Sequence, residues 1–360
     1  MDKVCFFITS LNSGGIENYL LRFLKKYHKQ IDATVFCKGD ALGELEKQYR
    51  TLSNVRIVKN KISYLPVTSQ IKLYRYLKEE KFDAVCDFTG NFAGLVLKQA
   101  KKCGVKNRLA FYRGSTNHFK ENRIKNCYNN FLNRMVSKYA TTVLSNSKAA
   151  LDFFFKNIDE RFSVVYNGVD INEFNIEENK SDIRKSLGIP ENAFVIGHTG
   201  RLHYSKNHQT ILKVAHLICE KYPQVHFVLC GKNTETLTPE ISQKIKDQIH
   251  LLGYRKDIPR ILKSFDLYFF PSITEGQPNA LIEAMLADLP IVASNISPIQ
   301  EMLPNAMIAN LHAPDDVVGF VKEIEDIYLK NKEQPELQNW ALENFNSDIQ
   351  FEKFYKELIR

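Results

Sequence analysis

Several things are missing from this 360-residue chain, and each absence removes a class of function. No apolar run approaches the roughly 18–20 residues of a membrane span, which argues against an integral membrane protein. An apolar strand beginning at Lys3 leaves no room for a signal peptide, so a cytoplasmic location is expected. The seven cysteines (Cys5, Cys37, Cys86, Cys103, Cys127, Cys219 and Cys230) lack metal-ligand spacing, and most sit in apolar segments. That fits buried free thiols in a reducing compartment, not a disulfide scaffold. No Gly-x-Gly-x-x-Gly occurs, which weakens a dinucleotide-dehydrogenase reading. No Asp-x-Asp occurs either, the kind of motif that holds a divalent ion on a nucleotide sugar. There is no low-complexity tract.

What is present is the composition of a globular protein, 44% hydrophobic and 25% charged, and long enough for two domains with separate cores. The charge is unevenly spread. Residues 1–168 carry 29 Lys and Arg against 14 Asp and Glu, a balance of +15; the remainder carries 20 against 27, or −7. An anionic partner is therefore expected for the first half alone, with nucleic acid and an inner membrane leaflet as candidates.

Strand-like apolar runs alternate with helix-like segments throughout. In the first half they are Val4–Ile8, Ala33–Cys37, Val55–Val58, Ala84–Phe88, Leu109–Tyr112, Thr142–Leu144 and Ser163–Tyr166, with helices such as Ile16–His28 between them. The pattern breaks near Asn167-Gly168. It restarts with Phe194–Ile196, Val225–Leu229, His250–Leu252, Leu267–Phe270, Ile291–Ala293 and Met307–Ala309, with helices such as Gln209–Glu220. Repeated βα units predict an α/β protein with two doubly wound, Rossmann-like parallel sheets.

One βα unit carries the most chemistry. Leu267–Phe270 leads into Pro271-Ser-Ile-Thr-Glu-Gly-Gln-Pro-Asn-Ala-Leu-Ile-Glu-Ala, with Asn279 as the expected helix cap. Glu275 falls in the loop and Glu283 about one turn into the helix. Loops at the carboxyl ends of parallel strands are where ligands bind, so the two acids can face one crevice. The bland alternative is a surface helix with two solvated glutamates. Elsewhere, Gly14-Gly15 precedes Glu17 at a helix amino end, which offers N–H groups to an anion but is equally an ordinary tight turn. Gly200-Arg201 ends a strand and Lys206-Asn207 precedes a helix. Two cations there can neutralise a diphosphate without a metal, or simply be solvated.

Glu275-Gly276-Gln277-Pro278-Asn279-Ala280-Leu281-Ile282-Glu283-Ala284 resembles the donor-binding signature of retaining family 4 glycosyltransferases. The resemblance runs over nearly the full length, strongest from Asn167 to Ser294. It implies the GT-B architecture: residues 1–168 as an acceptor-binding domain, residues 169–346 as a nucleotide-sugar domain, a cleft between them, and a helix in 347–360 packing back on the first domain. By the same resemblance, Arg201 and Lys206 bind the donor phosphates and stabilise the leaving nucleoside diphosphate. Glu283 accepts hydrogen bonds from the ribose hydroxyls, and Glu275 faces the sugar and its developing positive charge. Gly276, Gln277, Pro278, Asn279 and Ala280 line the sugar and phosphate, Tyr254 lies by the base, and Gly14 and Gly15 lie against the diphosphate.

The match departs after Leu109–Tyr112. Family members usually carry a histidine there; this chain has Arg113, with His118 five residues later. Arginine stays protonated and cannot be a general base, though it can pin a phosphate or hydroxyl. His118 either reaches the cleft or is a plain loop histidine. The following segment, Phe119–Tyr139, interleaves Arg123, Lys125, Arg134 and Lys138 with Phe131, Leu132, Met135 and Val136. It reads as a basic amphipathic helix for a membrane surface, or as a core stripe with a solvated back.

The reading is a retaining, metal-independent glycosyltransferase with no cofactor beyond its nucleoside diphosphate sugar, a UDP-sugar first among the expectations. The expected acceptor is a glycan or lipid-diphosphate-linked sugar in capsule, lipopolysaccharide or exopolysaccharide synthesis. The expected location is peripheral, on the anionic inner face of the cell membrane, with no nucleic acid bound. The rivals are a nucleotide-sugar epimerase of related fold and a non-catalytic basic binder of membrane or nucleic acid.

Overall fold

In the computed structural model the described residues are 1–39, 42–62, 67–114, 123–332 and 334–360, with backbone alone described at 67 and 123–126. They divide into two compact units, Met1–Asn167 with Ile349–Arg360, and Gly168–Asp348.

The first unit is a seven-stranded, all-parallel sheet of β1 (Asp2–Ile8), β2 (Ile31–Cys37), β3 (Val55–Lys59), β4 (Ala84–Asp87), β5 (Asn107–Tyr112), β6 (Thr142–Ser145) and β7 (Phe162–Val164), in the order β3-β2-β1-β4-β5-β6-β7. Side chains of a strand alternate between faces, and here both faces are covered. Val4, Phe6 and Ile8 of β1 join one core cluster; Cys5 and Phe7 join another on the opposite face. Helix α1 (Gly15–Tyr27) packs on the first face, burying Tyr19, Leu20, Phe23 and Leu24. Helix α2 (Arg123–Tyr139) covers the described part of the expected Phe119–Tyr139 segment; residues 119–122 lie outside the described residues, as do the side chains of Arg123 and Lys125. A short helix, α3 (Lys148–Phe154), follows β6 with Ser147 as its cap, the hydroxyl accepting from the Ala150 amide.

The second unit is a five-stranded parallel sheet of β8 (Phe194–Thr199), β9 (Val225–Cys230), β10 (Ile249–Gly253), β11 (Leu267–Phe270) and β12 (Ile291–Ala293), ordered β10-β9-β8-β11-β12. Its helices include α4 (His208–Lys221) and α5 (Asn279–Leu286). The strand expected at Met307–Ala309 is instead a helical turn, Asn305–Ile308. Pro304 fixes the backbone before it, and Met307 is buried while Ala309 is exposed, a one-sided burial that no central strand would have.

The last described helix, α6 (Ser347–Leu358), completes the core of the first unit. Phe354 lies 4.6 Å from the Phe23 ring and 5.2 Å from Phe111, centroid to centroid, and Phe351 lies 5.3 Å from Tyr19. Among the described residues, no helix is long and apolar enough to cross a membrane.

Candidate active site

In the second unit the chain runs from β8 outward through β9 and β10, then returns to place β11 and β12 on the other side of β8. The loops after β8 and β11 therefore leave in opposite directions and open a crevice at the carboxyl edge of the sheet. Asn207 ties these loops together. It adopts the left-handed backbone (φ 57°) that asparagine tolerates, between a 3₁₀ turn at Tyr204–Lys206 and α4. Its side-chain amide donates to the carbonyls of Pro271 (3.0 Å) and Pro314 (2.7 Å), and the Ile273 amide donates to the Ser205 carbonyl at 2.9 Å.

Held in this way, Lys206 meets Glu275. Their charged atoms are 2.5 Å apart, both side chains are largely shielded from solvent (16% and 10% exposed), and the ammonium sits 5.1 Å over the Phe270 ring. Arg201 lies on the same loop, exposed, and among the described residues it forms no ion pair.

Asn279 is not the cap of α5, as expected from the sequence. Pro278, in an extended conformation, holds that position and Asn279 is the first helical residue. Asn279 and Glu283, four apart, share one face that is partly open to solvent, while Leu281, Ile282, Ala284 and Met285 are buried.

Glu275 and Glu283 also share a buried neighbour. The Tyr268 hydroxyl, at zero exposure, bonds to the Thr199 hydroxyl at 2.7 Å. Burial pushes the Tyr268 phenol far above its ordinary range. The hydrogen bonds of Thr199 oppose this, and the negative charges of Glu283 and Glu275 add to it. Loop acid and helix acid thus act on one point at the end of the central strands.

Beneath the Gly200-Arg201 turn lie His198 and His208, their rings 5.2 Å apart and both buried. Burial pushes both imidazoles down, His208 to about 4, so both are neutral at pH 7. A side chain on Gly231 would collide with the Gly200 carbonyl, so the turns after β8 and β9 pack with no room for a Cβ. Tyr254, after β10, is exposed at the same edge, whereas the neighbouring Arg255 is held by Asp257 at 2.7 Å.

Gly14, Gly15 and Arg113 belong to the first unit. Gly14 caps α1 in an extended conformation with no side-chain hydrogen bond of its own, and the Glu17 carboxylate folds back toward it and accepts from its own backbone N–H. A Cβ on Gly15 would meet nothing, so the protein's own packing does not require glycine there. Arg113 lies over Tyr19, its guanidinium carbon 3.7 Å from the ring centroid. Burial pulls its pKa down to about 10, which still leaves it a cation at neutral pH, and its Nη1 has no hydrogen-bond partner. It can donate to a ligand but not accept a proton from one. His118 lies outside the described residues.

Residues 179–343 match the family described as Glycosyl transferases group 1, and residues 13–173 match Glycosyltransferase Family 4. This chain belongs to the family 4 glycosyltransferases, with the GT-B fold. The glycosyltransferase is 28% identical over 310 residues to the Escherichia coli UDP-Gal:alpha-D-GlcNAc-diphosphoundecaprenol alpha-1,3-galactosyltransferase, covering 82% of this chain and 80% of that one. It is 24% identical to the Staphylococcus aureus capsular polysaccharide biosynthesis glycosyltransferase CapH, covering 84% of each. Its fold is similar to that of Anabaena HepE, crystallised in complex with UDP, at a TM-score of 0.78, 22% identity and 99% coverage of both chains.

Three residues of this glycosyltransferase were not singled out by its sequence: Thr199, Tyr268 and the side-chain role of Asn207. Tyr268 sits in an apolar run that reads as core, and nothing local marks its hydroxyl as bonded to a strand 69 residues away. Among the described residues, no group of three or more His, Cys, Asp or Glu is arranged to hold a metal ion.

Proposed function

We propose that this glycosyltransferase moves a sugar from a UDP-sugar to a glycan carried on a lipid diphosphate, with retention of anomeric configuration and without a metal. The observation that carries the reading is the shielded Lys206–Glu275 pair, with Arg201 on the same loop and Glu283 one helical turn into α5. In the transfer, the bond from the anomeric carbon to the β-phosphate oxygen breaks, a bond to the acceptor hydroxyl oxygen forms on the same face, and the hydroxyl proton passes to the departing phosphate oxygen. Arg201 and Lys206 take up the charge of departing UDP, the work a metal would otherwise do. Glu275 stands by the sugar, where a carboxylate offsets charge on an oxocarbenium-like carbon. The two oxygens of Glu283 suit the two ribose hydroxyls. Arg113, a cation with a spare N–H, orients an acceptor phosphate or hydroxyl.

The UDP donor is supported by the name of the E. coli relative and by the UDP held in HepE. The lipid-diphosphate acceptor is supported by that relative and by a Campylobacter jejuni transferase whose name specifies a diphosphoundecaprenol glycan, 24% identical over 95% of this chain. Such an acceptor would place the enzyme peripherally on the inner face of a membrane. The test is thermal stabilisation by a panel of nucleoside diphosphates, followed by transfer from the matching sugar nucleotides onto GlcNAc-diphosphoundecaprenol and related acceptors. Stabilisation by UDP and transfer with unchanged anomeric configuration are expected. Conversion of donor alone into its epimer, or no nucleotide binding, would overturn the reading.

A further inference from the structure

The first unit contains a groove of about 720 Å³ between α2, α3 and the chain leading into β7, which no step of the transfer uses. Its lining includes Arg134, Lys138 and Lys156, all exposed, and among the described residues none of the three forms an ion pair. Arg161 also lines it, but Asp159 (2.7 Å) and the Ser137 carbonyl (2.7 Å) already occupy its guanidinium. Large apolar side chains stand open around these cations. Phe153 is 49% exposed and Ile158 46%, and Phe131, 55% exposed, shares a face of α2 with Arg134 and Lys138. A lipid interface takes up exposed cations and open apolar side chains together.

We infer that the α2–α3 groove docks this protein on an anionic phospholipid bilayer: Arg134, Lys138 and Lys156 engage headgroup phosphates, and Phe153, Ile158 and Phe131 enter the acyl boundary. The inference rests on the proposed membrane-linked acceptor, and it names the surface that meets the membrane. Charge complementarity selects the occupant. The groove belongs to the half of the chain with a balance of +15, and the cytoplasmic leaflet is negative. The cations alone would equally suit nucleic acid; the open aliphatic and aromatic side chains beside them favour the acyl boundary, and duplex DNA enters the test as the alternative.

Co-sedimentation with phosphatidylcholine vesicles and with vesicles carrying phosphatidylglycerol tests it, at low and at physiological salt. The wild type should bind the phosphatidylglycerol vesicles and lose affinity with salt. Each cation removed should cost about fivefold, the equivalent of about 1 kcal/mol, so R134Q/K138Q/K156Q should bind roughly a hundredfold more weakly. The chain has a single tryptophan, Trp340, in the other unit, so F153W adds one reporter whose emission should shift to the blue on those vesicles. Thermal stabilisation by UDP should be the same in all three proteins, which separates lost docking from lost folding. Because vesicle binding is read without any transfer reaction, the docking surface and the glycosyl-transfer reading fail independently. Indifference of the wild type to phosphatidylglycerol, wild-type binding by the triple variant, no F153W shift on bound vesicles, or binding to duplex DNA in place of vesicles would each overturn the inference.

Discussion

The ammonium of Lys206 and the carboxylate of Glu275 stand 2.5 Å apart although 69 residues separate them in sequence. The pair joins the two loops that diverge from the middle of the second sheet, and each partner is one that a donor would claim. In the proposed function, an entering diphosphate shares Lys206 with Glu275.

Glu275→Gln removes the competing charge and keeps the shape. UDP affinity should stay the same or rise, while turnover falls about a hundredfold or more, because the lost charge acts chiefly in the transition state. Isothermal titration and single-turnover kinetics read the two effects. Weaker UDP binding with intact turnover would reverse the roles assigned here.

Glu283→Ala should act in the opposite sense. Charge-assisted hydrogen bonds contribute about 1.5–3 kcal/mol, so UDP affinity should drop roughly tenfold to a hundredfold, with little change in turnover at saturating donor. If UDP and inorganic diphosphate lose affinity equally, Glu283 does not contact the ribose.

If Arg201 and Lys206 supply the positive charge, as proposed, transfer should survive excess EDTA. Complete loss, restored by magnesium or manganese, would show that a metal is required after all. Arg201→Ala with Lys206→Ala should weaken UDP binding more than either change alone.

Acid should weaken the second unit. Burial depresses His208 from 6.5 to about 4, so between those values the unfolded chain binds a proton that the folded protein refuses. The stabilising contribution is complete above about pH 6.5 and is lost as pH falls toward 4, by about 3 kcal/mol at the acid end. His250, also depressed to about 4, and His198 act in the same direction. Urea unfolding at pH 7 and pH 5 should show the loss, and His208→Gln should reduce it. Equal stability at the two pH values would contradict the burial argument.

Asn207→Gly keeps a residue at home with positive φ and deletes the two side-chain bonds to Pro271 and Pro314. Stability should fall by about 1–3 kcal/mol, and UDP affinity should fall with it as the loops part. Unchanged affinity would mean that the Lys206–Glu275 pair holds the loops alone.

Most of this architecture was legible because a βα repeat writes itself in apolar runs. The strands outran their apolar cores by one to three residues wherever polar ends such as Asn107, Asp32 or Thr199 still pair in the ladder. Met307–Ala309 misled because a buried methionine beside isoleucine has the same local composition in a strand or a helical turn. The two glutamates were legible by their spacing. Their common neighbour was not, since the Tyr268–Thr199 bond joins strands by sheet order, which local sequence does not encode. Lys206-Asn207 signals a left-handed turn before a helix, but its partners lie 64 and 107 residues further on.

Helix α6 sets a timetable for the nascent chain. Phe351 and Phe354 seal the aromatic core around Tyr19, Phe23 and Phe111, yet they follow the whole of Gly168–Asp348. At 5–20 residues per second, a ribosome needs on the order of ten to forty seconds to reach them after finishing Asn167. Throughout that interval the first unit carries an open aromatic face while the second unit is still being made, and the second unit is complete before the first is. The part translated first is thus the part that matures last, and it is the one a chaperone would find waiting.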